Sequence, residues 1–573
     1  MENLISIGKY LLLSNQSLFR GLNEQELTLV ANRVQLVEFN RNEMIYQQGE
    51  KMDYFNIIIN GSVLIFLFPE GSETNEEVPL DVLQKGDYFG ITSILANRPH
   101  STNAKAITNC RLLRIDSKSF NKILEEIPKL GVHFSKTLSR RMQNEFKGSN
   151  KILKSEIVLF SSEDKELSAI FTNSLSEYIN TKTKKKSIIL KIDLDSKTLI
   201  ASNDSELYPL EYPEQISEIL HEFCCLYHYV IFDTSNLDFS YMAALMEKSD
   251  HLYILRNAKE FKNQEFWHKI HKHKPSEYFS ETIYIREYLP SETEIQSKVE
   301  KIGRKLTGLS IGLALGGGAA MGLAQVGILK VLEKENIIVD MVTGTSIGAL
   351  LGSIWASGLN ALDIEKACLE FNSLFKMMRY VDLTIPRRGL IAGKNVRGYV
   401  EQFLGDKTFE DLDKTLKVVA CDISTRREVI LSTGKVVDGV MASIAIPGVF
   451  TPIVREDGTV LVDGGVVNPL PANILTRDGI KRTIAVNSMP SPNDVVKSNK
   501  NKQSIMDIFV NSLYSLQYRI ARYAKQEVDV YVNPILENST WYEFHRAADF
   551  IALGEKTAIR VLDDIKRLSL VDP

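Results

Sequence analysis

The chain has 573 residues, 44% hydrophobic and 24% charged, with a formal net charge of -4. That length suits roughly three or four ordinary globular domains, and the mixed, slightly acidic charge excludes a general nucleic-acid binder. Five scattered cysteines, Cys110, Cys224, Cys225, Cys368 and Cys421, lack metal-ligand spacing and fit a reducing compartment. Met1 to Leu22 does not combine a basic start, a long apolar core and a cleavage site, so the expected location is the cytoplasm, with peripheral contact to the inner membrane face.

Residues 17–145 read as a first domain. Short β-type runs such as Asn56 to Ile59 and Ser62 to Phe68 are punctuated by Gly49, Gly61, Gly71 and Gly86, and helical sequence follows from about Ser117. This is the pattern of a β jelly-roll with flanking helices. With Gly49-Glu50, Asn60-Gly61 and Gly86-Asp87-Tyr88-Phe89-Gly90, it resembles a cyclic nucleotide-binding domain. The resemblance implies a phosphate cradle after Phe89-Gly90, with a glutamate for the ribose and an arginine for the phosphate. Those two positions hold Ile91 and His100, and Arg98 stands two residues from the second. Imidazole does not reproduce the guanidinium fork. The expectation is a degenerate module kept for structure or docking, in which Gly90, Arg98 and His100 would face any nucleotide.

Residues 155–295 carry a second α/β pattern, with strands at Ile157 to Phe160, Ser187 to Ile192, Tyr229 to Phe232 and His251 to Leu255. Asp233 follows an apolar strand, where a P-loop ATPase places its metal-binding acid. The first strand leads into Ser161-Ser162-Glu163-Asp164-Lys165, which has none of the glycines and no Lys-Ser/Thr pair of a phosphate loop. A degenerate P-loop ATPase-like domain without nucleotide turnover is expected. Two basic runs, Arg140 to Lys154 and His268 to Lys274, read as a linker and as a candidate contact for anionic lipid.

Residues 305–573 hold the most specific signals. Leu309 to Leu315 reads as a strand, Gly316-Gly317-Gly318 as a tight turn, Gly322 to Lys334 as a helix and Ile337 to Val342 as a second strand. Gly344-Thr345-Ser346-Ile347-Gly348 then opens another helix. Gly-x-Ser-x-Gly is the pattern of a nucleophile elbow, in which flanking glycines let the chain turn sharply enough to expose a serine hydroxyl at a helix start. The backbone N–H groups of Gly316, Gly317, Gly318 and Ala319 are expected to hold an oxyanion. No histidine lies between His273 and His545, so a serine-histidine pair within this domain is not expected. Asp463, after the apolar strand Gly458 to Val462 and before Gly464 and Gly465, is the candidate base. A dinucleotide site is disfavoured because the glycines are not spaced GxGxxG, and the uncharged stretch Met341 to Leu359 is too rich in Gly, Ser, Thr and Ala to read as a membrane span. Phe371 to Asn395, where apolar groups alternate with arginines, suits an interfacial flap.

The triple glycine, the GTSIG around Ser346 and the DGG at Asp463 resemble the patatin-like phospholipases, as does the proline-containing segment Ala442 to Phe450. The oxyanion loop of that family often has an arginine before its last glycine, and here Met321 precedes Gly322. The resemblance implies an α/β/α hydrolase domain with a Ser346–Asp463 dyad, no metal or other cofactor, and phospholipid or lysophospholipid acyl esters as substrate at a membrane surface. The order of the three domains is similar to that of the neuropathy target esterase family of lysophospholipases. The whole is therefore expected to be multidomain: an N-terminal jelly-roll, a middle α/β domain and a C-terminal hydrolase. The competing expectation is a lipid- or partner-binding regulator whose hydrolase domain is inactive.

Overall fold

A computed structural model describes the chain from residue 2 to residue 570 outside the segments 69–76, 135–154, 203–206, 258–278, 286–291, 371–381, 383–389 and 492–504 and scattered positions of one or two residues. The flap expected over 371–395 and both basic runs fall mainly or wholly outside the described residues. The chain forms two compact units, one of Leu18–Thr307 and one that joins Met1–Ser17 to Gly308–Leu570.

In the first unit, eight short strands make two four-stranded antiparallel sheets. One orders Gln35–Phe39, Cys110–Asp116, Tyr54–Asn60 and Tyr88–Phe89, and the other Met44–Tyr46, Asn103–Ala106, Val63–Leu67 and Val78–Leu83. This is the expected jelly-roll, with Ile58, Val63, Leu83, Phe89, Ala104 and Leu112 clustered in its core. Helix Ser117–Glu126 follows, started by the Asp116 side chain, which accepts the Ser119 N–H at 2.9 Å.

The same unit contains a seven-stranded sheet. Its order is Leu207–Pro209, Thr198–Ala201, Ser187–Asp193, Tyr229–Asp233, Glu156–Ser161, His251–Asn257 and Phe279–Ile285, and the last five strands are parallel. Runs such as Val158-Leu159-Phe160 and Val230-Ile231-Phe232 are apolar on both faces because helices cover both sides of a parallel sheet. Asp233 ends the strand beside the first one and is buried, accepting the Ser168 hydroxyl at 2.6 Å. The start of helix Lys165–Lys182, the place for a phosphate in such folds, is closed by its own chain. The Asp164 carboxylate accepts the Glu166 and Leu167 N–H groups, each at 3.1 Å.

The second unit is built on a mixed sheet. Thr415–Asp422, Met341–Thr345, Ile311–Leu315, Arg482–Val486 and Val530–Val532 run parallel, and Arg427–Leu431, Val460–Asp463 and Ile453–Val454 add antiparallel pairs at one side. The strand expected at Ile337 begins instead at Met341, because Asp340 first meets Ile311: its N–H donates to the Ile311 carbonyl at 2.9 Å, and its side chain accepts the Ile311 N–H at 2.8 Å. Helices Ala324–Lys334 and Ala547–Arg560 cross in near contact. A Cβ at Gly327 would lie 2.0 Å from the Ile551 carbonyl oxygen, and one at Gly554 would lie 1.9 Å from that of Ala324.

Neither obstacle is a flexible side-chain end, so the helices must part if either glycine gains a methyl group. Gly327→Ala and Gly554→Ala are each expected to destabilise this unit by about 1–3 kcal/mol, the usual cost of overpacking. Urea denaturation followed by the emission of Trp355 and Trp541 measures it, and an unchanged midpoint would contradict the close crossing.

Candidate active site

Strand register brings the site together. Arg427–Leu431 pairs along residues Val418–Asp422 of the strand Thr415–Asp422, which leaves that strand's other edge to be shared. The first half of this edge, as far as Val419, pairs with Met341–Thr345, and the second half, from Ala420, pairs with Val460–Asp463. Ser346 is the residue after the first partner, and Asp463 is the last residue of the second. They meet end to end: the Ser346 hydroxyl donates to Asp463 Oδ2 at 2.6 Å.

Ser346 sits at φ 56 and ψ -125, a left-handed backbone that costs about 1–3 kcal/mol and persists only where its surroundings fix it. Three contacts do so. A Cβ at Gly344 would lie 2.6 Å from Ala349 Cα, and one at Gly348 would lie 2.2 Å from the Leu315 carbonyl, so both elbow glycines are required by close approach. The Ser346 N–H donates to Ser443 Oγ at 2.9 Å, and that hydroxyl donates to the Val419 carbonyl at 2.6 Å. The hydroxyl of Thr345 donates to the Asn468 carbonyl at 2.8 Å, fixing the loop that follows Gly464 and Gly465.

The glycine turn corrects one expectation. The Gly316 N–H donates to the Val486 carbonyl at 3.0 Å and the Gly317 N–H to that of Pro469 at 2.9 Å. Both amides are spent on the scaffold, because each continues or closes the sheet edge, and neither can turn to an oxyanion. Gly318, at φ +149, and Ala319, at φ +46, lie past the bend, and no described acceptor takes their N–H groups. The turn is pinned from below by Gln325, fully buried, whose Nε2 donates to the Gly316 carbonyl at 2.6 Å.

Asp463 is 3% exposed and Ser346 7%. They line a small pocket with Gly317, Gly318, Gly465 and Ile446, roofed by Val510, Leu513, Tyr514 and Gln517 of helix Ile505–Ala524. Burial pushes the Asp463 carboxyl up from 3.8 to about 6, against the opposing pull of the Ser346 hydroxyl and of the Gly465 N–H, which donates to Oδ1 at 2.7 Å. Burial, helped by the Asp463 charge, also holds the Tyr514 phenol protonated. A carboxylate desolvated to that degree, joined to a serine hydroxyl in a strained turn, is a base within reach of a nucleophile.

Residues 313–476 match the patatin-like phospholipase family, and residues 36–127 match the cyclic nucleotide-binding domain family. The chain carries a patatin-like phospholipase domain. The chain is similar to the neuropathy target esterase sws of Drosophila melanogaster, 30% identical over 214 residues, which are 37% of this chain and 15% of the fly protein. An uncharacterized NTE family protein of Mycobacterium tuberculosis is 24% identical over 486 residues, 83% of this chain and 79% of its own length. This chain thus spans a small part of the fly esterase and most of the mycobacterial protein. Among solved structures, the regulatory domain of Toxoplasma gondii PKA with cAMP is 24% identical, covering 24% of this chain and 50% of that one, with a TM-score of 0.22.

Gln325 and the roof helix carry no motif and reach the patatin-like site only through the fold. Ser443 and Ile446 belong to the proline-containing segment Ala442 to Phe450, and the fold gives that segment its contacts with Ser346 and the pocket. In the cyclic nucleotide-binding domain, the His100 ring is 5% exposed and lies stacked on Tyr46 at 3.7 Å between centroids, with Ser93 Oγ 3.3 Å from its Nδ1. Burial lowers its pKa despite Glu50 and Asp53, so at neutral pH the ring is uncharged. Arg98 is exposed, and Gly90 begins helix Ile91–Ala96 in the left-handed region.

The raised Asp463 value has a sign. Below about pH 4 the group is protonated whether the chain is folded or not; as pH rises through 6 the folded state loses stability, because its buried carboxyl ionises later than the unfolded one. Asp463→Asn, which keeps the shape without the charge, is expected to be more stable than the parent above pH 7 by about 3 kcal/mol, at about 1.4 kcal/mol per pH unit. The gap should close as pH falls toward 4. Urea midpoints of the two proteins across that range test it, and a less stable variant at pH 8 would refute the buried charge.

Proposed function

We propose that the chain is a serine acyl hydrolase that cleaves fatty-acyl carboxyl esters of phospholipids or lysophospholipids. The observation that carries this reading is the 2.6 Å bond from Ser346 Oγ to a buried carboxylate beside a strand-to-helix glycine turn. Ser346 Oγ attacks the ester carbonyl carbon as Asp463 Oδ2 takes its proton. The developing oxyanion lies against the N–H groups of Gly318 and Ala319, the two of the four expected amides that are not spent on the scaffold. The carbonyl re-forms, and the lysolipid or glycerol alcohol leaves with the proton held by Asp463. Water then attacks the acyl-serine, Asp463 takes the water's proton, and the fatty acid leaves as Ser346 recovers its own. Ile446, Val510 and Leu513 supply the apolar walls that suit an acyl chain.

Peripheral contact with lipid fits the roof helix. Its outer side exposes Ile508, Phe509 and Leu516 at 53%, 45% and 62%, and Arg519 and Arg522 are also exposed. Apolar groups beside cations suit a lipid interface. Among the described residues no helix is long and apolar enough to cross a membrane. We further read the cyclic nucleotide-binding domain and the middle domain as positioning modules: the first holds a neutral histidine at the phosphate position, and the second fills its anion site with Asp164.

Ser346→Ala is expected to lower kcat toward an acyl ester by about a thousandfold or more, as loss of a nucleophile commonly does. For the parent protein, log kcat/KM should rise with unit slope below about pH 6 and level off above it, because the base must be ionised. A folded Ser346→Ala protein at the parent rate, or a profile flat through pH 6, would sink the dyad. Separately, millimolar cAMP or cGMP should leave the melting temperature of the full chain unchanged. A rise of several degrees would show that Arg98 or His100 does serve a phosphate.

A further inference from the structure

The catalytic unit includes residues that lie before the other two domains in sequence, Met1–Ser17. Helix Glu2–Ser14 ends on Leu12 and Leu13, both buried, and the next residue, Asn15, is 5% exposed. Its side chain makes two bonds of opposite sense. Asn15 Nδ2 donates to Glu527 Oε1 at 2.9 Å, and Asn15 Oδ1 accepts from Arg477 Nε at 3.3 Å.

Each bond opens a short path to the dyad. Arg477 Nη1 donates to Glu428 Oε2 at 2.9 Å, and Glu428 Oε1 accepts Asn468 Nδ2 at 2.6 Å. The Asn468 carbonyl in turn accepts the hydroxyl of Thr345, the neighbour of Ser346. On the other side, Glu527 stands three residues past the roof helix Ile505–Ala524 and is itself buried. Gly8 backs onto the same helix, where a Cβ would lie 2.9 Å from Tyr523 Cε1. An amide, with a donor and an acceptor at opposite corners, satisfies both partners at once; no single charged group of that size does so.

We propose that Asn15 is a positioning residue for the Ser346–Asp463 dyad, and that Gly8–Gln16 is the strap that ties the elbow loop to the roof helix. The strap holds the elbow loop and the roof helix in one register, and its far end continues into the cyclic nucleotide-binding domain.

The inference rests on Ser346 being the reactive serine, and the test separates the two. The rate of Ser346 labelling by an alkyl fluorophosphonate is measured on the full chain beside its melting temperature. Asn15→Asp turns the donor facing Glu527 into a second carboxylate and should slow labelling at least fivefold. Adding Glu527→Gln restores a donor and an acceptor with their roles exchanged, and should bring the rate back to within twofold. Asn15→Ala, which removes both bonds without adding charge, should slow labelling by the same factor if Asn15→Asp fails to fold. A labelling rate for Asn15→Ala within twofold of the parent overturns the proposal, as does a slowed Asn15→Asp that the double variant does not restore. If the parent protein is not labelled at all, the hydrolase reading fails. Hydrogen exchange then decides the strap: Asn15→Ala should lose protection in the segment around Ser346 and in Ile505–Ala524, and unchanged protection overturns it.

Discussion

Everything at this site depends on how one strand divides its edge. Thr415–Asp422 gives the first half of one side to Met341–Thr345 and the second half to Val460–Asp463. The two partners run in opposite directions and stop facing each other, so the ends of two distant segments become neighbours without any loop having to place them. A slip of one residue in either pairing would turn Ser346 or Asp463 to the other face of the sheet. The hydrophobic register of the core and the geometry of the dyad are therefore one constraint, set together.

Burial then supplies the chemistry. An aspartate in water is too weak a base to take a proton from serine at useful cost, whereas one in a nearly closed pocket is raised toward neutrality. The same desolvation is a cost to folding, which the scaffold offsets with a large apolar core around the elbow helix and the crossing at Gly327 and Gly554. The backbone strain at Ser346 is held in the same way, by Ser443 and by the two elbow glycines. The site is thus the part of the unit least favourable to stability, and the surrounding packing makes it persist.

On the proposed reading, the accessory modules keep their folds with their ligand positions filled from within. In the middle domain the carboxylate of Asp164 takes the helix-start amides that a phosphate would use. In the jelly-roll, His100 stacks on Tyr46. Both arrangements satisfy polar groups internally. This leaves position and attachment as the properties the modules can contribute, and the placement of Met1–Ser17 in the catalytic unit gives attachment a physical form.

The sequence by itself determined the classes of fold, the elbow at Ser346 and the aspartate at Asp463, because glycine spacing and an apolar strand ending in a carboxylate are local patterns with local causes. The jelly-roll strands and the parallel runs of the middle domain were legible for the same reason, since a period of two or an unbroken apolar run is written residue by residue. Which glycine-turn amides remain available was not legible. Gly316 and Gly317 differ from Gly318 only in the acceptors at Val486 and Pro469, residues far along the chain. The start of the second strand at Met341 was hidden by the side-chain bond of Asp340 to Ile311. Ser443, Gln325, the roof helix and Asn15 acquire their roles only when the chain closes, because a hydrogen bond between separate elements leaves no periodicity to read. Local geometry is encoded locally; the partners of buried polar groups are decided by the tertiary fold.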